Sequence, residues 1–187
     1  MNENITSELE KKIQRFISLT LKDIRVELAE EFDRNFEREA FFCDKWKRRK
    51  WNDDESRGLL VSTGALRQSI QAEVVGQEKV VFSSALPYAK IHNEGGTITV
   101  TRKMKGYFWI KYREAMRQRS FKRDGAQRND KKNRGINSAA EFYKAMALKK
   151  IGSKIIIPKR QFIGRHPDME RLLHEIAMAN VKEVFNN

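Results

Sequence analysis

The chain has 187 residues, which is enough for one domain with its own hydrophobic core, or for one domain that carries an insertion. Its only cysteine, Cys43, excludes an internal disulfide framework and fits a reducing compartment, and we expect it to be a small buried hydrophobe rather than a reactive thiol. No apolar run is long enough to span a bilayer and the N-terminus is too polar for a signal peptide, so we expect a soluble protein made in a cytoplasm, without a membrane partner.

The formal net charge of +13 is large for this length and predicts a polyanionic or acidic partner, or charged neighbours in an assembly. The charge is unevenly distributed along the chain. Acidic residues outnumber basic ones in residues 1–42, whereas residues 102–135 contain thirteen Lys and Arg against three acidic residues, which leaves ten positive charges in one stretch. The basic character is therefore local.

The first predicted element is a long amphipathic helix. Apolar residues recur every three or four positions, which places them on one face of a helix. They are Ile13, Ile17, Leu21, Ile24, Leu28, Phe32 and Phe36. No Gly or Pro interrupts residues 1–51, so we expect the helix to lie on its own domain, to lose order through residues 46–51 and to be followed by a loop at 52–56.

Trp46 and Trp51 flank four basic residues and allow two interpretations. They form either an aromatic and cationic platform for nucleic acid, or two anchoring tryptophans around a solvated turn, which we favour. The adjacent Asp53, Asp54 and Glu55 do not converge on a metal ion without distant partners, so we interpret them as a solvated loop.

Two short segments then predict structural corners around a β-hairpin. In the segment 62–70, Ser62 or Thr63 is expected to cap a short helix, with Gly64 in the tight turn. Alternating apolar residues on either side of a glycine predict the hairpin over 72–82. In the segment 87–96, a proline suits the first turn of another short helix and two glycines end it, before a strand over 97–101.

The second half of the chain is less regular at first. Residues 102–135 lack a clean period and contain three glycines and an aromatic cluster, so no helix is predicted there. A capping box at Ser138–Glu141 predicts a helix that runs to Leu148. A strand over 154–158 follows, and the last helix is expected after His166 and Pro167.

These elements predict an α+β fold with a long N-terminal helix, a small mostly antiparallel sheet with short helices, and a C-terminal helix. We expect a single domain over 1–187 with a basic insertion at about 102–153. No pattern indicates an enzyme. His92, His166 and His174 have no metal-ligand spacing with each other or with Cys43, and no phosphate-binding loop or nucleophile motif occurs.

Three patterns occur in order along the chain: Leu-x-x-Thr-Gly-x-Leu-x-x-Ser-Ile, Tyr-Ala-x-Ile-His-x-x-Gly-Gly and Ile-Pro-x-Arg-x-Phe-Ile-Gly. With the hairpin between the first two, they resemble the phage virion-morphogenesis family, which covers Mu-type and P2-type tail-completion proteins and related head–tail joining proteins. The matching positions are Leu60, Thr63, Gly64, Leu66, Ser69, Ile70, Tyr88, Ala89, Ile91, His92, Gly95, Gly96, Pro158, Arg160, Phe162 and Gly164.

The resemblance implies a structural virion subunit without catalysis or cofactor. It implies a ring, which we expect to be a hexamer, at the neck or the head-proximal end of a tail, in contact with connector or tail-tube proteins and assembled in the bacterial host cytoplasm. The alternative is a free-standing basic nucleic-acid-binding accessory protein. That alternative explains the charge but not the three patterns, and no helix-turn-helix or RNA-binding signature supports it.

The basic stretch has two interpretations. In a ring around passing phage DNA it would contact phosphates without reading bases; otherwise it would pair with acidic surfaces of neighbours, including the N-terminal helix of the next copy. The candidate contact residues are Arg102, Lys103, Lys105, Arg117, Arg119, Lys122, Arg123, Lys131, Lys132 and Arg134.

Overall fold

A computed structural model describes residues 2–49 and 58–186, with side chains from residue 5 onward. The predicted N-terminal helix is confirmed as α1, Asn2–Arg38, but it ends earlier than expected. Glu39 and Phe42 adopt positive φ angles of 50° and 53°, which turn the chain into the short strands β1, Ala40–Phe41, and β2, Asp44–Lys45. Trp51 and the acidic residues 53–55 lie outside the described residues.

The remaining elements follow in chain order. They are α2 (Ala65–Gln68), β3 (Ile70–Val75), β4 (Lys79–Ser84), α3 (Ala89–Glu94), β5 (Gly96–Thr99), α4 (Arg102–Arg117), α5 (Lys131–Leu148), β6 (Lys154–Ile157) and α6 (Pro167–Phe185). The strands pair antiparallel as β1 with β2, β3 with β4, and β5 with β6, in three separate two-stranded sheets. The α+β class, the hairpin and the C-terminal helix are thus confirmed.

Two adjoining apolar clusters form the core of the body. One gathers side chains from α1, the loops and the short helices, namely Phe36, Trp46, Leu59, Leu66, Ala89 and Phe162. The other holds Leu28, Phe32, Phe41 and Phe42, against which Met169, Leu172 and Leu173 of α6 pack. Burial of one such large side chain contributes about 1.5–3 kcal/mol, so these clusters are the main source of stability.

The N-terminal part of α1 extends past this core. Near the end of its contact with α6, the Phe16 ring lies 6.2 Å from the Phe185 ring, and Arg15 pairs with Glu183 at 3.6 Å. Beyond that contact, Ile5 and Leu9 are 64% and 50% exposed, although they continue the apolar stripe of the helix. The apolar stripe of α1 therefore continues beyond the part of α1 that α6 covers.

The prediction for residues 102–135 was wrong, because this stretch begins with the 16-residue helix α4. Thr101 caps α4 by accepting a hydrogen bond from the Met104 N–H at 3.2 Å. The capping box at Ser138 was also wrong, since α5 begins at Lys131 and Asp130 is its cap. The glycines at 106 and 135 lie inside helices, where each costs about 1 kcal/mol, and the packing of α4 on α5 offsets that cost.

Three smaller expectations need correction. Neither Ser62 nor Thr63 caps α2, because the cap is Gly64 in the left-handed conformation, while the Thr63 hydroxyl accepts only the Ala65 N–H at 3.3 Å. Cys43 is exposed rather than buried. No helix in the described part of the chain is long and apolar enough to cross a membrane.

Candidate interaction surfaces

The three motif segments meet around Phe162, which is completely buried. The chain around Phe162 has no regular secondary structure, so side chains from elsewhere supply its hydrogen bonds. Asn93 Oδ1 accepts the N–H groups of Phe162 at 2.9 Å and Ile163 at 3.1 Å. Asn35 Nδ2 donates to the Phe162 carbonyl at 3.3 Å, and Trp46 Nε1 donates to the Gln161 carbonyl at 2.7 Å.

Sequence reasoning missed both asparagines. Asn35 is completely buried between two phenylalanines of the α1 stripe, and its Oδ1 also accepts the Phe42 N–H at 2.9 Å. A polar residue inside an apolar stripe was the available signal. Trp46 was assigned correctly as an anchor, because its burial excludes a nucleic-acid platform at that position.

Arg160 of the third segment is buried and binds backbone from two other regions. The backbone N–H of Arg160 donates to the His92 carbonyl at 2.8 Å, and the side-chain Nε donates to the Lys47 carbonyl at 2.9 Å. Burial lowers the pKa of the Arg160 guanidinium, and the nearby Arg49 lowers it further. Arg160 therefore ties the motif segments to the chain after β2.

An open cavity of about 400 Å³ lies where the first and second segments face Arg160. Its described lining consists of Arg49, Leu60, Val61, Ser62, Thr63, Ala65, Leu66, Tyr88, His92 and Arg160. Six of these are motif positions, and none carries a carboxylate. The Nδ1 atom of His92 is buried there without a hydrogen-bond partner in the described ranges 2–49 and 58–186. Burial, with a smaller contribution from Arg160, lowers the pKa of His92. The cavity thus presents cationic and hydroxyl groups.

Gly95 explains why the second segment ends in glycine. Its φ of 76° lies in the left-handed region, and an added Cβ would lie 2.9 Å from the backbone nitrogen of Lys159 and 3.2 Å from the carbonyl oxygen of Ile157. Only glycine allows the end of α3 to approach the third segment this closely. The motif position is therefore set by a backbone contact.

Arg67 joins α2 to α1. Its guanidinium binds both carboxylate oxygens of Asp33 and also lies 2.7 Å from Glu37 Oε1. The hydrogen bonds from Arg67 hold the pKa of the Asp33 carboxyl below its usual value. This pair fixes the first segment on the long helix.

The basic hairpin, defined as residues 102–148, consists of α4, a connecting tip at 118–130 and α5. The two helices pack chiefly on each other. At the base, the hairpin continues β5 and β6, and Lys105 Nζ donates to the Lys149 carbonyl at 2.7 Å. The hairpin therefore projects from the body as a separate arm.

The ten candidate contact residues fall at the two ends of this hairpin. Arg102, Lys103 and Lys105 lie at its base. The other seven, Arg117, Arg119, Lys122, Arg123, Lys131, Lys132 and Arg134, lie at or beside the tip. Of the thirteen basic residues in 102–135, Lys111 alone has a carboxylate partner in the described part of the chain, Glu114 at 2.7 Å.

The tip is an ordered turn that Asn133 holds from α5. Lys122 N–H donates to the Ala126 carbonyl at 2.7 Å, and Arg128 N–H donates to the Ser120 carbonyl at 3.1 Å. The buried Asn133 accepts the Ser120 N–H at 3.0 Å and donates to the carbonyls of Ser120 at 2.8 Å and Arg128 at 2.6 Å. Sequence reasoning gave Asn133 no role.

Four of the acidic residues of α1 form ion pairs within the chain. Arg34 pairs with Glu30 at 2.9 Å, and Arg38 pairs with Glu31. Asp33 and Glu37 bind Arg67, as described above. Four others, Glu8, Glu10, Asp23 and Glu27, have no basic partner in the described part of the chain, so unpaired acid remains on α1 for the basic stretch of a second copy.

Cys43, Asp44 and His166 come together although their sequence spacing does not suggest it. His166 Nε2 lies 3.9 Å from Cys43 Sγ and 3.6 Å from Asp44 Oδ2. His166 also caps α6, because its Nδ1 accepts the Asp168 N–H at 3.1 Å. That bond puts the proton of the neutral ring on Nε2, so a metal ion at Nε2 would have to displace the proton and reverse the cap.

A profile of the phage virion morphogenesis family matches residues 3–182, nearly the whole chain and including the basic hairpin, so the chain belongs to this family. Searches of curated proteins and of solved structures gave no match. The resemblance inferred from the three motifs is thereby confirmed, and with it a role in phage morphogenesis and an association with the virion.

Proposed function

We propose that this protein is a non-catalytic structural subunit that forms a ring, expected to be a hexamer, at the neck or the head-proximal end of a phage tail. It completes the tail or joins it to the head by contacting copies of itself and connector or tail-tube proteins. Phage DNA passes through this ring, and the basic hairpin faces it. Family membership supports the virion setting, and the surface of the chain supports the assembly.

This proposal rests mainly on the location of the large apolar side chains that are exposed. Among the described residues, those at least half exposed are Ile5, Leu9, Tyr107, Ile110, Phe121, Leu148, Ile151 and Ile156. Seven of them lie on the N-terminal end of α1, on the basic hairpin or on β6 at its base, and Ile151 lies in the turn between α5 and β6. None lies on β3, β4 or α6. Apolar side chains on projecting elements are typical of surfaces that partners cover.

The ring is tested by mass photometry and negative-stain microscopy of the purified protein, alone and after mixing with connectors and tail tubes from the same phage. We expect rings in at least one of these samples. The double change Tyr107→Ser and Ile110→Ser should abolish them, because it removes exposed apolar area from α4 without touching the core.

The matched control is Val81→Thr, which alters a valine of the body that is 39% exposed. It should leave the rings intact. A protein that stays monomeric with every virion component and yet binds DNA would contradict the proposal. That result would favour the alternative, a free-standing basic nucleic-acid-binding accessory protein. The observation in favour of this alternative is the positive charge of the basic hairpin.

A further inference from the structure

The tip of the basic hairpin carries a group of cations that the rest of the chain does not neutralise. Eight basic residues lie at or beside it: Arg117, Arg119, Lys122, Arg123, Arg128, Lys131, Lys132 and Arg134. None of them has a carboxylate partner in the described residues. Since unpaired like charges at one end of an arm repel each other, an anionic partner there would stabilise the assembly.

The two acidic residues of the tip serve its backbone instead. Asp124 Oδ1 accepts the Ala126 N–H at 2.9 Å and closes the turn. Asp130 Oδ1 accepts the Asn133 N–H at 2.7 Å and caps α5. Both carboxylates therefore order the tip, and neither forms an ion pair with its cations.

Arg119 differs from the other cations of the tip, because its Nε atom is buried and has no hydrogen-bond acceptor among the described residues. A group outside the protein does not reach a buried atom, so this Nε is not part of the surface that a partner contacts. For the exposed guanidinium groups of the tip, an oxyanion is the best partner, since it accepts charge-assisted hydrogen bonds in the guanidinium plane.

We infer that the tip is a preformed phosphate-contacting element that binds the backbone of double-stranded DNA without reading its sequence. Asn133 holds the turn so that Lys122, Arg123 and Arg128 are presented together rather than on a flexible loop. Preorganisation lowers the entropy lost on binding. This inference rests on the proposed function, because that function brings DNA past the tip. DNA binding by the tip can nevertheless be tested on protein that has not formed a ring.

DNA fits this surface better than the acidic helix of a second copy. Of the α1 carboxylates, Glu30, Glu31, Asp33 and Glu37 already bind arginines of their own chain. Those without a basic partner in the described residues are spread along the helix, at Glu8, Glu10, Asp23 and Glu27. A phosphate backbone, in contrast, offers a regular row of unpaired negative charges. The cations of the tip match a row of this kind.

The test is fluorescence anisotropy of the full chain with random-sequence duplex DNA over a salt series. The first variant combines Lys122→Gln, Arg123→Gln and Arg128→Gln. We expect it to lower affinity about tenfold or more and to reduce the slope of log K against log salt by about 2–3, at about 0.9 per lost phosphate contact. The matched control combines Lys11→Gln, Lys12→Gln and Lys22→Gln on α1, removes the same charge and should change affinity less than about twofold.

The second variant, Asn133→Ala, keeps every charge and releases the turn. It should weaken binding several-fold and speed hydrogen exchange over 120–128. Wild-type affinity in the tip variant, an equal loss in the α1 control, or binding that does not depend on salt would overturn the inference. Unchanged binding in Asn133→Ala would overturn the preformed geometry.

Ring assembly is measured on the same proteins by mass photometry. A tip variant that assembles but does not bind DNA supports this inference, and rings without any wild-type DNA binding refute it while leaving the proposed function intact. The salt series on the monomer fraction gives the DNA result even where no ring forms.

Discussion

Asn93 Oδ1 accepts hydrogen bonds from two successive backbone N–H groups, those of Phe162 at 2.9 Å and Ile163 at 3.1 Å, across a separation of about 70 residues. One side chain at the end of α3 thus holds the third motif segment in place. Because Phe162 has no exposed surface, water does not replace these bonds. Asn93 is therefore a structural link between the second and third segments.

Replacing Asn93 with alanine should destabilise the protein by about 2 kcal/mol, because it leaves two N–H groups without an acceptor. Urea unfolding followed by circular dichroism measures this change. The matched control is Asn129→Ala in the exposed tip, which should stay within about 0.5 kcal/mol of the wild type. Equal stability of the two variants would show that the Asn93 bonds contribute nothing net.

Gly95→Ala should be more destabilising than Gly76→Ala. Both glycines have positive φ angles, 76° and 63°, so both substitutions strain the backbone, by about 1–3 kcal/mol. Only at Gly95 does the added Cβ meet neighbouring backbone, that of Lys159 at 2.9 Å, whereas nothing lies within 4 Å of the added Cβ at Gly76. Thermal unfolding of the two variants compares them directly, and a Tm for Gly95→Ala at or above that of Gly76→Ala would refute the close contact.

Acid should destabilise the protein through His92. Burial and the nearby Arg160 lower the pKa of His92 in the folded state from its ordinary value of 6.5, so the unfolded chain takes up the proton first. The stability that neutral His92 contributes is therefore fully present above pH 6.5 and is lost as the pH falls below it. Between about pH 7.5 and pH 5 the wild type should therefore lose more stability than His92→Gln does.

Urea unfolding at the two pH values gives this difference. The control, His174→Gln, removes an exposed histidine of α6 and leaves His92 in place, so it should retain the acid loss of the wild type. If His92→Gln loses as much stability in acid as the wild type, then His92 is not the group responsible.

Arg67→Gln should cost about 0.5–1 kcal/mol at neutral pH, because its partners are partly exposed and solvent screens the pair. Because the pKa of Asp33 is lowered in the folded state, its ion pair with Arg67 contributes fully to stability above pH 3.8, the ordinary pKa of the carboxyl. That contribution is lost as the pH falls further. The gap between variant and wild type should narrow as the pH falls below 3.8. Arg34→Gln, which removes a pair within α1, is the control and should cost less. A gap that persists in acid would point to packing rather than charge.

Local pattern was sufficient for much of the fold. The α1 stripe, the alternation on both sides of Gly76 and the proline that begins α6 each predict an element from neighbouring residues, and the structure has all three. The failure at α4 has a local cause too. Met104, Phe108 and Ala115 follow a helical spacing, but Gly106 and aromatic side chains on the outer face hide it.

The candidate site could be predicted only in part. The three motif segments were identified by their order, and the structure brings residues from all of them to one cavity. Asn35, Asn93 and Asn133 were not identified, because an asparagine has no period and its role depends on which backbone groups come within reach.

The sequence by itself determined the α+β class and the location of the charge, because periodicity, turn residues and charge are properties of near neighbours. The order of the three motif segments gave the resemblance to the family, which the family match confirms. Only the tertiary structure decided that the segment around Phe162 is held by Asn35 and Asn93, which lie 127 and 69 residues away. It also decided that the basic stretch is a helical hairpin with an ordered tip. In both places a backbone without regular structure must find its hydrogen-bond partners through space. Around Phe162 those partners come from distant parts of the chain, whereas at the tip Asn133 binds groups 5 and 13 residues away.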